Sequence, residues 1–225
     1  MHENSVLLFR KHALRYFAPG MRVLEVGPDG SPSTYQKLVS APNPSAVWET
    51  LDINSSPYLT YPNSEPYKFP VAENRYDVVF SGQVIEHVPK IWRWMAELSR
   101  VAKVGGRVII INPVSWPFHE FPFDCWRIYP EGMKALCEDS GLVVETSVWE
   151  SLETPHLKPF WATDKTPVLR YAIAGRSIQQ QHIIRQIQSR LLGRFGGRVE
   201  RAFDTVTVAQ KLESKTSHDP KTPLT

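Results

Sequence analysis

With 225 residues, 42% of them hydrophobic, and a net charge of +3, the chain is long enough to bury a full core and too apolar to be wholly disordered. The charge singles out no polyanionic partner, and the two cysteines, Cys125 and Cys137, form no CxxC and no dense Cys/His cluster, so neither a disulfide framework nor a metal site is expected. The apolar run Val6 to Phe9 is broken at once by Arg10 and Lys11, which is too short for a signal peptide, and no segment approaches the roughly 20 apolar residues of a membrane span. A cytoplasmic protein is expected.

In chain order, Val6, Phe9, Leu14 and Phe17 among basic residues predict a helix that packs one face inward and stops at Pro19 and Gly20. RVLEVG is a short strand. Pro32 to Ser40 reads as a helix, with Tyr35, Leu38 and Val39 on one face, and Val47 to Ile53 as a second strand. Asn54 to Pro70, rich in Pro, Ser and Asn, is a loop, and YDVVFSG (Tyr76 to Gly82) is a third strand. IEHVPKIWRWMAELSRVAKVGG repeats apolar residues at helical spacing through Ile91, Met95, Leu98 and Val101, and Gly105 and Gly106 end it. RVIIIN is the nearly uninterrupted apolar run of a strand buried on both faces. After an aromatic loop, Pro130 to Ser140 is helical and LVVETSVW is a strand. This alternation predicts an α/β doubly wound, Rossmann-like sheet, whose ligands sit at the carboxyl ends of the strands.

The first strand runs into Glu25, Val26, Gly27, Pro28, Asp29, Gly30, Ser31 and Pro32. Glycine admits a close ligand and the helix start offers free amides, but Asp29 stands where the second Gly of a GxGxxG would let a pyrophosphate approach. Asp52 ends the second strand, 25 residues beyond Gly27, where a carboxylate can accept both ribose hydroxyls; its other reading is a solvated turn residue. Together these features favour a nucleoside without phosphates.

VLEVGPDGSP, TLDI, EPYKFPVAENRYDVVFSGQVIEHV and LSRVAKVGGRVIIINP, in this order, resemble the class I S-adenosylmethionine-dependent methyltransferases of the small-molecule, type 11 sort, from about Arg22 to Trp149. The first motif departs from the usual E/DxGxGxG at Asp29 and Ser31. The resemblance implies S-adenosyl-L-methionine as cofactor, with Glu25 and Gly27 beside its methionine part, Asp52 on its ribose and Ile53 against its adenine. Glu65, five residues before Pro70, is the candidate for the adenine amino group. The cofactor's positive sulfonium gives Glu25 and Asp29 a reason to be acidic.

The resemblance also places SGQVIEHV (Ser81 to Val88) beneath the transferable methyl group, with Gln83 facing the cofactor through its amide. Glu86 and His87 read in two ways. They are a helix start, with Glu in the first turn and His87 fixing the loop, or His87 is a general base or acceptor-positioning group.

SWPFHEFPFDCWRIYPEG (Ser115 to Gly132) follows the fourth strand and should border the same crevice as an acceptor-side wall. Trp116, Phe118, Phe121 and Phe123 can exclude water, while His119, Glu120, Asp124, Arg127 and Tyr129 offer polar contacts. The alternative is structural: Asp124 pairs with Arg127 at i, i+3, Trp126 packs in the core, and Pro130 with Glu131 starts a helix. Its HxxPxDxWRxxPEG form resembles bacterial family members linked to sugar and surface-polysaccharide pathways.

The family's last strand normally follows as an antiparallel hairpin partner, yet the matching DTVTVAQK (Asp204 to Lys211) lies some 50 residues after VVETSVW. The expected organisation is a cofactor-binding domain over 1–150 and 204–213, an insertion over 151–203 that is loop-like and then helical from Val168, and a disordered tail over 214–225. Arg190, Arg194, Arg198 and Arg201 flank the insertion's apolar face, which suits an anionic membrane surface, an acidic or lipid-linked acceptor, a homodimer, or a solvated face over the sheet.

The leading expectation is O-methylation of a small molecule, a sugar or a glycan or lipid-linked precursor, with His87 and His119 as catalytic candidates. A cofactor-binding scaffold without catalysis and a nicotinamide-dependent oxidoreductase are the other readings. Nucleic acid is disfavoured as substrate, since NPVS at Asn112 to Ser115 is a poor match to NPPY.

Overall fold

The computed structural model describes residues 3–120, 122–153, 156–159, 169–170, 197–200 and 202–213. The N-terminal segment is helical from α1 (Glu3–Leu8) through a wider π turn at Phe9–Ala13 to a 3-10 turn at Leu14–Tyr16. Then follow β1 (Arg22–Val26), α2 (Thr34–Ser40), β2 (Val47–Leu51), β3 (Tyr76–Gly82), α3 (Ile91–Val101), β4 (Ala102–Pro113), α4 (Pro130–Asp139) and β5 (Leu142–Glu150). Three short strands, β6 (His156–Pro159), β7 (Leu169–Arg170) and β8 (Gly197–Glu200), precede β9 (Asp204–Lys211).

The main sheet has the order β2-β1-β3-β4-β9-β5. β2, β1, β3 and β4 are parallel, and β9 runs antiparallel between β4 and β5. This is the expected doubly wound α/β sheet with its antiparallel strand. Strand order reverses between β1 and β3, so the carboxyl ends of those two strands open a crevice, and the site lies there.

The run RVIIIN works because β4 is covered on both sides. Val108 and Ile110 enter the core built around α3 and α4, while Ile109 and Ile111 enter the opposite core, built around Phe9, Tyr35 and Val39. A strand shows alternate residues to alternate faces, so two apolar layers require an unbroken apolar run. Each such fully buried side chain contributes roughly 1.5–3 kcal/mol. In α3, Ile91, Trp94, Met95 and Leu98 sit at i, i+3, i+4 and i+7 and are all buried.

Several boundaries differ from expectation. The helix read as starting at Pro32 starts at Thr34, because the Ser33 side chain caps it by accepting from the Gln36 N–H at 2.9 Å. The helix read through IEHVP is a 3-10 turn at Ile85–His87, and the α-helix begins only at Ile91. The insertion is corrected at both ends of its expected helix: Leu169–Arg170 and Gly197–Glu200 are strands, paired with β6 in a small antiparallel sheet. Between them, 171–196, which holds Arg190 and Arg194, lies outside the described residues, as do Arg201 and the tail from 214. Among the described residues no helix is long and apolar enough to cross a membrane.

Candidate active site

A cavity of about 760 Å³ opens at the carboxyl ends of β1, β2 and β3, a size in the usual range for small-molecule sites. Of the residues expected in a site, Gly27, Asp29, Asp52, Ile53, Gln83, His87, Trp116 and His119 line it together. Phe123 and Pro122 from the aromatic loop line it too.

At one end, β1 delivers Gly27 with φ at +76°, a conformation that L side chains rarely adopt. A Cβ there would stand 2.3 Å from Val84 Cγ2, so glycine is needed for space as well as for conformation. Asp52, just after β2, accepts from Asn54 N and Asn54 Nδ2, both at 2.9 Å and both on Oδ1. Its Oδ2 carries no protein bond among the described residues. Ile53 beside it is 49% exposed, an apolar surface at the cavity edge.

Two of the expected cofactor residues are placed otherwise. The Glu25 carboxylate does not line the cavity; it is buried, and its Oε2 accepts from Ser33 Oγ at 2.5 Å and Trp48 Nε1 at 2.8 Å. Burial pushes its pKa up to about 7. Glu25 therefore braces the start of α2 from behind the strand. Glu65 is exposed and also outside the lining, while its neighbours Pro66 and Tyr67 are inside it. Asp29 lines the cavity, but Thr34 donates to both its oxygens, from N at 2.8 Å and Oγ1 at 2.7 Å, so it serves the helix start as well.

The floor is SGQVIEHV. Gln83 adopts a left-handed φ of 60°, donates its backbone N–H to the Ile111 carbonyl at 2.8 Å and its Nε2 to Asp204 Oδ1 at 3.1 Å. Asp204 also accepts from Asn4 Nδ2 at 2.5 Å, which ties the N-terminal helix to the cavity floor. Glu86 stands in the first turn of the 3-10 helix Ile85–His87, as the structural reading has it, and is 1% exposed. Neither of its carboxylate oxygens has a hydrogen-bond partner, and burial pushes its pKa up to about 8. His87 lies beside it, with Nε2 3.8 Å from Glu86 Oε1, and burial holds its pKa below the usual imidazole range.

The aromatic loop is a braced wall. Asp124 and Arg127 form two parallel bonds at 2.5 and 2.7 Å, and Asp124 Oδ2 also accepts from the His119 N–H at 2.7 Å. Arg127 further donates to the carbonyls of Trp116, Pro117 and Trp126. Cys125 N donates to the Glu86 carbonyl at 2.7 Å and Trp126 Nε1 to the Val88 carbonyl at 3.0 Å, fastening the loop to the floor. Asp124, Arg127 and Tyr129, expected among the acceptor contacts, do not line the cavity; the first two hold the loop's shape and Tyr129 packs against Trp149. Phe118 is 73% exposed and outside the lining, and Phe121 lies outside the described residues. What the loop turns inward is Trp116, His119, Pro122 and Phe123.

Sequence reasoning missed Tyr35, Asn54 and Tyr67 in the lining. Tyr35 read as core because it shares a helix face with Leu38 and Val39; it is 2% exposed and does both jobs. For Tyr67, the aromatic in PYKFP next to the family-like segment was the available signal.

The family model described as a methyltransferase domain matches residues 38–110, from α2 through most of β4. Over 54 residues the chain is 39% identical to a Mycobacteroides abscessus protein named an uncharacterized methyltransferase; the match covers 24% of this chain and only 21% of that relative's length. Among solved structures, a Bacillus halodurans protein provisionally assigned as a methyltransferase superposes with a TM-score of 0.58 at 14% identity, covering 93% of this chain and 99% of that one. A SAM-dependent methyltransferase from Archaeoglobus fulgidus gives 0.57 at 17% identity, covering 92% of each chain. A Haemonchus contortus phosphoethanolamine N-methyltransferase, solved with S-adenosyl-L-methionine, gives 0.54 at 15% identity, covering 93% of this chain and 52% of that one. The matched segment lies across the switch-point crevice, so the chain is similar to a methyltransferase domain over 38–110 and shares its fold with solved S-adenosylmethionine-dependent methyltransferases.

Proposed function

We propose that the chain transfers the methyl group of S-adenosyl-L-methionine to a hydroxyl of a small molecule, a sugar or a glycan or lipid-linked precursor. The observation that carries this reading is that one cavity gathers two chemically different sets of residues. Gly27, Asp52 and Ile53 form one, and His87, His119 and Trp116 the other.

The first set fits a nucleoside with a cationic tail. Asp52 Oδ2 is available to ribose hydroxyls, Ile53 offers an apolar face to adenine, and Gly27 leaves room for the amino-acid part. Asp29, with no glycine in its place, disfavours a pyrophosphate and hence a nicotinamide dinucleotide. When bound, the cofactor supplies a methyl group on a positively charged sulfur.

For the acceptor, Trp116 and Phe123 offer flat apolar surface of the kind that packs on sugar rings, and the two imidazoles present polar atoms to the reacting oxygen. Methyl transfer is an in-line displacement, so holding the acceptor oxygen against the methyl group does most of the work. A wall braced by Asp124 and Arg127 suits that task better than a mobile lid. The acceptor hydroxyl must also give up its proton, and His87 and His119 are the groups placed to assist. The link to sugar chemistry rests on the HxxPxDxWRxxPEG form of the loop.

Calorimetric titration with S-adenosylhomocysteine and, separately, NADH tests the cofactor. Micromolar binding of the first alone, weakened at least about tenfold in Asp52→Ala, is expected; binding of NADH alone, or of neither, would sink the proposal. Turnover is then sought with hydroxyl-bearing sugars and nucleotide sugars, and its complete absence beside tight cofactor binding would favour a non-catalytic role.

A further inference from the structure

Glu86 poses a problem that methyl transfer alone does not solve. A carboxyl group 1% exposed with both oxygens unpartnered is costly, since a buried polar group needs hydrogen bonds and, once ionised, an opposite charge as well. It lines the cavity, so whatever satisfies it enters from there. The charged groups acting on it are Arg127, Asp204 and Asp124. Arg127 is already matched by its two bonds to Asp124, so it leaves Glu86 without a neutralising partner of its own.

The two histidines are set up as ligands. His87 Nδ1 contacts the carbonyl oxygen of Phe123, and His119 Nδ1 lies 3.1 Å from that of Pro117. A carbonyl oxygen only accepts, so each Nδ1 carries the proton and each Nε2 keeps its lone pair. This is the arrangement that orients metal-ligating imidazoles in general. The rings stand 5.0 Å apart and nearly perpendicular, at 89°. One ligand atom from each of Glu86, His87 and His119 can be chosen so that all lie within 4.8 Å of one another. Ligands about 2.1 Å from an ion stand roughly 3.4 Å apart in a tetrahedral site, so the widest pair must close by an ångström or so. Rotation of the Glu86 side chain and a small shift of the loop at His119 supply that.

We propose that Glu86, His87 and His119 bind one divalent transition-metal ion of the Zn²⁺ or Co²⁺ kind, with its remaining positions open to the acceptor. Two imidazoles and one carboxylate suit such ions and leave coordination free for substrate oxygen. The role for the ion rests on the methyl-transfer reading. The acceptor hydroxyl becomes a ligand, and its acidity rises, as it does for metal-bound water. Its proton passes to solvent water, the oxygen forms a bond to the methyl carbon, and the carbon–sulfur bond breaks to leave a neutral thioether. No oxidation or reduction occurs. The two histidines then serve the acceptor through the ion.

The test uses the full chain after dialysis against a chelator. Co²⁺ is titrated while visible d–d absorption is followed, and Zn²⁺ is titrated by calorimetry, each with and without S-adenosylhomocysteine. One equivalent bound at micromolar or tighter affinity, weakened at least about tenfold in both His119→Ala and Glu86→Gln, is expected. No binding by the wild type, or binding that both variants retain, overturns the proposal. Circular dichroism checks that each variant folds, and His119→Gln replaces any that does not. If the metal site fails while S-adenosylhomocysteine binds, the methyltransferase reading stands alone; if the reverse holds, the ion site stands without it.

Discussion

Asp124 and Arg127 pair through bonds of 2.5 and 2.7 Å, with the Asp124 side chain only 1% exposed, and the pair holds the early part of the acceptor-side loop through the His119 N–H and the Trp116 and Pro117 carbonyls. The Arg127 guanidinium pulls the Asp124 pKa down to about 2. A depressed folded-state pKa means that the pair stabilises the fold above the unfolded value near 4 and loses that contribution as pH falls through about 2. Removing the charge in Asp124→Asn leaves a half-buried guanidinium underpaired and is expected to cost about 2 kcal/mol at pH 7. Urea unfolding at pH 7 and at pH 3 measures this, and the gap between wild type and variant should shrink at the lower pH. A gap that is equal at both would show that the pair does not hold the loop.

Trp126 makes a second fastening of the same loop, donating Nε1–H to the Val88 carbonyl at 3.0 Å. Trp126→Phe keeps most of the ring's packing and deletes the donor, so the global cost is expected near 1 kcal/mol. The local effect should be larger than the global one. Amide hydrogen exchange through 115–129 is expected to speed up, while that of β1, β3 and β4 follows only the change in global stability. Uniform acceleration across the whole chain would contradict a fastening role.

The contrast between fold and site shows where sequence carries information. β3 and β9 fall on the residues read as strands, because an apolar run or alternation bounded by turn residues is a local signal. Gly27, Asp52 and His87 reach the cavity as expected, since each lies just after a parallel strand and topology alone brings those ends together. Glu86 was legible only as a helix start; its burial depends on the loop carrying Cys125, which bonds to the Glu86 carbonyl across nearly 40 positions. Asn4 gave no signal at all, yet it is fully buried and holds Asp204, 200 residues away, along with the Glu150 carbonyl and the Leu152 N–H. Asp124 and Arg127 sat at a spacing that fits either pairing or ligand contact, and only the direction of the side chains decides between them. Polar residues are ambiguous in sequence because their partners are distant, whereas apolar periodicity is repeated and local.

Gly27→Ala should close the cofactor end of the cavity. The new methyl group would stand 2.3 Å from Val84 Cγ2 at a φ of +76°, so both space and backbone oppose it. A stability loss of about 1–3 kcal/mol is expected, from a strained left-handed alanine and a displaced Val84. Because Val84 and Gly27 both line the cavity, S-adenosylhomocysteine affinity should fall by more than tenfold even where the variant is fully folded. Calorimetry at a temperature well below the variant's melting midpoint separates the two effects, and undiminished affinity would place the cofactor elsewhere.

Glu25 gives a prediction of opposite sign, because burial raises its pKa from 4.5 to about 7. A carboxyl group with a raised folded-state pKa stabilises the fold fully below 4.5, and that contribution is lost as pH rises through 7. Above that pH the wild type holds an ionised carboxylate behind β1, with Ser33 and Trp48 as its hydrogen-bond donors. Both donors address the same oxygen, so Glu25→Gln can keep both bonds through its amide oxygen and place its NH₂ where the second carboxylate oxygen stood. The variant is expected to match the wild type within about 1 kcal/mol at pH 5 and to exceed it by up to about 3 kcal/mol at pH 8. Denaturant unfolding across that range reads the difference directly. If the variant were less stable at pH 8, Glu25 would have to be ionised in the fold by a cation that its Ser33 and Trp48 contacts do not supply, and its place as a brace for α2 would give way to a charged role at the cofactor.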